Sequence, residues 1–318
     1  MDSVIDSLLL GARGAEVSRI GFGCDPLGGH QWGQVEEGEA ADAVLSALDL
    51  GINFFDTADT YGLGRSEEIL GQVLRHRRDE AVIASKFGVR WSDEGTRYDN
   101  RPEWLRTCLE GSLTRLRTDR IDLYQVHYPD PDIPLAETLG VLGELRDEGK
   151  ILSFGVTNTD LSKEGIVDPV EGLVSFSGEY SIAKREAEPQ ILSVASDLDL
   201  TFLSWGSLGQ GMLTGKYHRG NLPGPEDRRS REVYSNFHGK GLERCLAINT
   251  VMRSIVEERA GQKLKVASVA LRWVLDRIPG SVALVGIKRT EQLEDAAEAL
   301  GWTLSPSELA RLEEVASA

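Results

Sequence analysis

Basic residues are in short supply. Only 35 Lys and Arg stand against 51 Asp and Glu in 318 residues, giving a formal net charge of −16. A nucleic-acid-binding domain ordinarily carries a basic face, and docking on anionic lipid needs clustered cations. The charge deficit argues against both partners. It does not exclude a small anionic ligand, because a local basic cluster acts inside an acidic whole. Cysteine is scarce too. Cys24, Cys108 and Cys245 are an odd count without C-x-x-C spacing, which gives no disulfide framework or zinc site and fits a reducing cytoplasm. No stretch approaches the roughly 18 uninterrupted apolar residues of a membrane span. The start, MDSVIDSLLLGARG, has acids at Asp2 and Asp6 and only a short apolar run, unlike a signal peptide. The expectation is a soluble cytoplasmic protein with no membrane or nucleic-acid partner.

Several catalytic signatures are also missing. Five histidines occur with no H-E-x-x-H, so no metal site is expected. No G-x-G-x-x-G follows an early strand, which disfavours a Rossmann dehydrogenase, and no nucleophile elbow supports Ser-His-Asp hydrolysis. Tyr180 and Lys184 match a Y-x-x-x-K spacing by chance, without the Gly-rich turn that should precede it. GSLGQGMLTGKY is not a P-loop, because Gln210 stands where a Gly is required and Tyr217 follows Lys216.

What is present is a regular alternation of short apolar runs with helical patterns. The strand candidates are RIGFGC, NFFDTA, AVIASK, DLYQVH, SFGVTN, LVSFSGEY, TFLSWGSL and VALVGI. Between them, AADAVLSALDLG and PLAETLGVLGELRDEGK end on Gly caps, and PEWLRTCLEGSLTRLR opens with Pro in its first turn. SEEILGQVLRHR opens with Ser66 as the expected N-cap. A hairpin over LLLGARGAEVS, turning at Ala12-Arg13-Gly14, precedes the first strand. Eight such βα units predict an α/β (β/α)8 TIM barrel filling residues 1–318 as one domain, with long loops on its C-terminal face. An open doubly wound sheet is the rival. The stretch from Lys216 to His238 is rich in Gly, Pro and Arg, and a loop of that length is usually functional or disordered.

Active sites of such barrels form at the C-terminal ends of the strands. Those ends carry Asp56, with Tyr61 just beyond, then Lys86, His127, Thr157 with Asn158, and Trp205. Taken singly, Asp56 and Lys86 read as a buried ion pair and His127 as a core histidine. Convergence on one axis favours chemistry instead. A tyrosine hydroxyl is a poor acid at neutral pH, and an adjacent ammonium lowers its pKa. Lys86 supplies that ammonium, Asp56 holds it, and His127 orients a carbonyl oxygen. A hydride must come from a nicotinamide cofactor, since no side chain provides one.

The runs GINFFDTADTYGLGRSEEILG, VIASKFG, RLRTDRIDLYQVHYPDP, GKILSFGVTN and SLGQGMLTGKY resemble, in order and over nearly the whole chain, the aldo-keto reductase superfamily. The resemblance implies a barrel that binds NADP(H) and reduces an aldehyde or ketone. It places the catalytic tetrad on Asp56, Tyr61, Lys86 and His127, with Tyr61 as proton donor. It also implies that Asn158 and Thr157 hold the nicotinamide carboxamide and that Trp205 stacks on the ring. Leu208 and Gly211 then approach the pyrophosphate, with Lys216 beside it and Arg228 or Arg229 closing over it. Gly286, Ile287, Lys288, Arg289, Gln292 and Asp295 fall on the adenosine-phosphate segment, where Lys288 and Arg289 favour a 2′-phosphate. Arg219 and Arg231 read as solvated.

This sequence departs from the family pattern at several points. Ser177 replaces the usual carboxamide-binding glutamine, Gly206-Ser207 replaces Ser-Pro, and Ala296 replaces an asparagine. Asp25 stands where an aromatic pocket residue is common, suiting a polar or cationic substrate or simply an exposed rim. Trp91, Tyr128 and, more weakly, Trp32 suggest an aromatic substrate wall. Two other readings share the motif: NAD(P)+-dependent oxidation of a sugar or secondary alcohol, and an NADPH-binding regulatory or redox-sensing subunit with slow turnover.

Overall fold

The computed structural model describes residues 6–29, 35–92 and 95–317. All eight anticipated strands form. They are preceded by the antiparallel hairpin of β1 (Ser7–Leu9) and β2 (Glu16–Ser18). The barrel strands are β3 (Ile20–Gly23), β4 (Phe54–Asp56), β5 (Val82–Phe87), β8 (Ile121–Val126), β9 (Ile151–Thr157), β10 (Leu173–Glu179), β11 (Thr201–Trp205) and β12 (Ser281–Gly286). Each pairs in parallel with its neighbour in this order, and β12 closes onto β3. A second hairpin, β6 (Val89–Ser92) with β7 (Gly95–Tyr98), leaves the end of β5. No alternation marks that exposed hairpin as a pair in the sequence.

Helices α1 (Glu37–Asp49), α2 (Arg65–Val73), α3 (Pro102–Leu116) and α4 (Leu135–Asp147) follow β3, β4, the β6–β7 hairpin and β8. Among the described residues no helix follows β9, and α5 (Glu188–Leu198) follows β10. After β11 come α6 (Gly239–Glu258) and α7 (Val266–Arg277), and after β12 come α8 (Thr290–Ala297) and α9 (Pro306–Ser317). The expected Pro start of α3 holds: Pro102 is its first residue, where its missing N–H costs nothing. Ser66 is not an N-cap. Helix α2 begins at Arg65 after Gly64, and Ser66 is buried, with its hydroxyl donating to the Cys24 carbonyl at 2.8 Å. That hydroxyl also meets Thr57 Oγ1 at 2.9 Å. It ties the turn before α2 to β3 and β4 rather than capping the helix.

Two apolar layers result. One fills the space between strands and helices. The other fills the barrel itself, with Phe54, Ala84, Leu123, Val174, Leu203, Val282 and Leu284 packed together. Leu10 and Val17 of the hairpin region join this inner cluster. The Gly11 amide donates to Thr201 Oγ1 at 2.8 Å, anchoring the hairpin to the start of β11. It therefore plugs the N-terminal end and leaves the opposite mouth open.

Candidate active site

Side chains alternate across a strand, so the residue two positions beyond an inward one also points inward. Phe54, Ala84, Leu123 and Leu203 lie in the barrel interior. The same faces then carry Asp56, Lys86, Gln125 followed by His127, and Trp205 to the open mouth. Lys86 is the hub. Its Nζ donates to Asp56 Oδ1 at 2.6 Å, to the Thr57 carbonyl at 2.8 Å and to Tyr61 Oη at 3.3 Å. The pair is deeply buried, with side chains 5% and 6% exposed. Asp56 Oδ2 accepts from Gln125 Nε2 at 3.2 Å. Gln125 was missed at the sequence level, although period-two alternation sets it on the face of His127.

Tyr61 comes from the turn between β4 and α2. Gly62, Leu63 and Gly64 there all have positive φ. The turn packs backbone to backbone against Asp25–Gly28: a Cβ on Gly62 would meet the Gly28 carbonyl oxygen at 2.4 Å. Burial pushes the Tyr61 hydroxyl well above the ordinary tyrosine range, and the charges of Asp56 and Asp25 add to this. That reverses the expected lowering by Lys86. The first reason is burial, which disfavours the phenolate, and Asp56, 2.6 Å from the Lys86 ammonium, adds its own negative charge, so the phenol remains protonated.

His127 presents a neutral imidazole. Burial, helped by the Lys86 charge, pulls its pKa down to about 3. Its ring stands edge-on to Tyr61 at 6.0 Å and stacks on Tyr128 at 5.3 Å, which stacks in turn on Tyr98 of β7 at 4.9 Å. Its carbonyl accepts from Asn158 Nδ2 at 3.1 Å and from the Thr157 hydroxyl. Thr157 thus spends its donor on the backbone of His127.

Behind the site, Asp59 sits two residues before Tyr61 with its Oδ1 shielded from solvent and unpartnered. Buried Glu67 lies near it, held by Arg115 Nε at 2.7 Å and Ser85 Oγ at 2.5 Å. Burial, then Glu67, pushes the Asp59 carboxyl up to about 7. The native chain keeps this proton between about pH 4 and 7, where an unfolded aspartate has lost it. Stability from this group is therefore lost as pH rises through that window. Asp59→Asn is expected to raise the thermal midpoint by several degrees at pH 8 and much less at pH 5. Equal shifts at the two pH values in thermal unfolding would contradict this assignment.

Asp56, Tyr61, Lys86, His127, Thr157 and Trp205 line one cavity of about 1180 Å³. Most other anticipated residues line it as well: Asn158, Ser177, Leu208, Gly211, Lys216, Arg228, Arg229, Gly286, Lys288, Arg289, Gln292 and Asp295, with Asp25 and Tyr128 nearer Tyr61's turn. Two do not. Ile287 is fully buried in the core, its amide donating to the Gly23 carbonyl at 3.3 Å. Ile287 ends the six-residue run VALVGI and packs behind the strand, not into the mouth. Trp91 lies on β6, 66% exposed and away from the cavity lining. Its hairpin contributes Tyr98 instead, through the stack on Tyr128. Trp32 lies outside the described residues. Among residues not anticipated, Glu179, Gln210, Tyr234 and Asn236 line the cavity. Gln210 donates to Glu179 Oε1 at 2.9 Å and accepts from Asn236 at 3.2 Å.

One end of the cavity is crowded with cations. Burial depresses the Lys216 ammonium, and Arg229, Arg289 and Lys288 depress it further, with Asp227 opposing them. Arg229 donates to Asp227 and to the Gln210 carbonyl. The long loop supplying Lys216 and Arg229 carries short 3-10 turns at Arg228–Ser230 and Ser235–Phe237, and Lys288 and Arg289 come from the segment between β12 and α8. Partly buried like charges are unfavourable alone and suit a polyanion. The left-handed backbone at Gln210 and Gly211 leaves no side chain between the chain and such a ligand at Gly211. The donor set fits a phosphate-rich dinucleotide.

The family model described as "Aldo/keto reductase family" matches residues 19–317. Aldo-keto reductase YhdN of Bacillus subtilis is 37% identical over 295 residues, spanning 92% of this chain and 88% of that protein. Among solved structures, glycerol dehydrogenase from Gluconobacter oxydans superposes with a TM-score of 0.87 at 32% identity, covering 99% of this chain and 95% of that one. An aldo/keto reductase from Klebsiella pneumoniae in complex with NADP and acetate gives 0.74 at 26% identity, covering 98% and 95%. With a closed eight-stranded barrel, a match along almost the full sequence and a lysine-centred group at its open mouth, the chain belongs to the aldo/keto reductase family of oxidoreductases.

Proposed function

We propose that this enzyme transfers hydride between NADP(H) and the carbonyl carbon of an aldehyde or ketone, with Tyr61 as general acid. The observation that carries the reading is Lys86, which bridges Asp56 and the Tyr61 hydroxyl inside the cavity. Bound at the cationic end, the dinucleotide supplies the hydride. Tyr61 donates its proton to the carbonyl oxygen as negative charge develops there. Lys86 stabilises the phenolate left behind, and Asp56 with Gln125 keeps the ammonium in place. Neutral His127 donates a hydrogen bond without adding a charge that titrates near pH 7. In the reverse direction the same groups take a proton from an alcohol.

Trp205, Asn158 and Ser177 line the part of the cavity that would hold the nicotinamide, and Lys216 and Arg229 line the part that would hold the phosphates. Lys288 and Arg289 are placed to select the 2′-phosphate, supporting NADP(H). Arg289→Ala is expected to raise the Kd for NADPH about tenfold, the worth of one partly exposed charge-assisted contact. The Kd for NADH should move less than threefold; equal weakening of both, measured by fluorescence titration, contradicts this role. The function itself is tested by nicotinamide absorbance with NADPH or NADH and a panel of aldehydes and ketones. Absence of turnover with every member overturns it. The likeness to a glycerol dehydrogenase supports alcohol oxidation as the second reading, and forward and reverse rates compared at one pH decide the direction.

A further inference from the structure

A histidine that acts on a substrate is ordinarily oriented through the hydrogen bond made by its second ring nitrogen. His127 departs from that pattern. Its Nδ1 is shielded from solvent, and no group of the described residues bonds it. A neutral imidazole carries a single N–H, so the ring serves a carbonyl oxygen only when Nε2 carries that hydrogen and faces the cavity. What holds the ring is its face. His127 stacks on Tyr128 with an interplanar angle of 22°, and Tyr128 stacks on Tyr98 with one of 19°. The edge of Tyr61 meets the other end of the series at 84°.

Tyr98 is supplied by the β6–β7 hairpin, where it pairs with Val89. The base of that hairpin is tied to the segment carrying Tyr128. Buried Asp99 accepts from Arg90 Nη1 at 2.9 Å and from Arg101 Nε at 2.8 Å, and its amide donates to the Gly88 carbonyl at 2.9 Å. Buried Asn100 donates through Nδ2 to the Tyr128 carbonyl at 3.1 Å and through its amide to Asp130 Oδ2 at 3.0 Å. Gly88 has a φ of +101°, and a Cβ there would meet Asn100 Oδ1 at 2.3 Å. The backbone bearing Tyr98 is thus fixed against the backbone bearing Tyr128, and the stack is built into the fold.

Resting on the carbonyl-reductase reading, we propose that Tyr98 is a positioning residue: acting through Tyr128, its ring holds the His127 imidazole so that Nε2–H meets the substrate carbonyl oxygen. Tyr98 is 42% exposed, so truncating it opens the outer side of Tyr128 to solvent and leaves no core cavity. Tyr128 then gains freedom, and the imidazole with it. One aromatic pair biases such an orientation by at most about tenfold.

The test is single-turnover hydride transfer from bound NADPH to the fastest aldehyde of the panel, followed by nicotinamide absorbance. In Tyr98→Ala the transfer rate is expected to fall about tenfold, while the Kd for NADPH stays within about threefold of the parent value. Tyr98→Phe keeps the ring and should regain the parent rate. An unchanged rate in Tyr98→Ala overturns the assignment. So does an equal loss in both variants, which places the effect in the Tyr98 hydroxyl. A weaker aldehyde Kd at an unchanged transfer rate makes Tyr98 a support for the substrate wall alone and overturns its action through His127. Loss of NADPH affinity in step with the rate marks general distortion and has the same consequence. Absence of transfer by the parent enzyme to every aldehyde overturns the reductase reading itself, an outcome that the variants cannot mimic.

Discussion

Tyr61→Phe loses at least about a thousandfold in kcat while its affinity for NADPH stays within a factor of three. General acid catalysis contributes on the order of 10²–10⁴, and among the described residues no other group contacting Lys86 Nζ carries a proton to give: Asp56 is its ion-pair partner and Thr57 offers a carbonyl. The variant should fold normally. The aromatic ring keeps its edge-on contact with His127 and its place over Lys86, and the glycine-built turn on Gly28 is untouched. Only the 3.3 Å contact from Lys86 is removed, and the Asp56 and Thr57 contacts still hold the ammonium. Single-turnover kinetics with fluorescence titration of NADPH check both halves of the expectation. Turnover near the parent rate would assign the proton to another group.

Lys86→Met has a different signature, because it damages fold and chemistry together. The substitution leaves Asp56 buried without its cation, and breaking a buried ion pair from one side costs about 3–5 kcal/mol. Gln125 remains as one hydrogen-bond donor to Asp56, too little to replace a full charge. Thermal unfolding should therefore show a large drop in midpoint, and kcat should fall at least as far as in Tyr61→Phe. Combining Lys86→Met with Asp56→Asn removes the orphaned charge. The double variant is expected to recover most of the stability and none of the turnover. Recovery of both would mean that the pair is structural only. A single variant as stable as the parent would mean that Asp56 carries no charge in need of a partner.

The barrel was legible because its signal is repeated. Eight apolar runs recur with helical patterns between most of them, and each run became a strand of the closed sheet. The catalytic cluster was legible for the same reason: Asp56, Lys86 and His127 lie at strand ends, where parallel pairing forces convergence. Gln125 was overlooked although the same alternation reaches it. The β6–β7 hairpin escaped notice because exposed residues of mixed polarity carry no burial pattern. Trp91 and Tyr98 sit on its paired strands with Thr96 opposite Trp91 and Val89 opposite Tyr98. Only the packing of the hairpin decides that Tyr98, rather than Trp91, reaches the stack on Tyr128.

By itself the sequence determined the fold class, the order of the strands' chemistry and the presence of cations within an acidic chain. Each of these follows from local pattern and composition. Tertiary structure alone decided the electrostatics. Lys86 neither sits free nor acts mainly on the phenol, since Asp56 lies 2.6 Å from it, and the Tyr61 proton is held more tightly than an adjacent ammonium suggests. It also gathered Lys216, Arg229, Lys288 and Arg289 from two separate loops and set Asp25 across from Arg228. Pairwise charge interactions depend on distance and burial. Neither is written in the order of residues until the barrel closes.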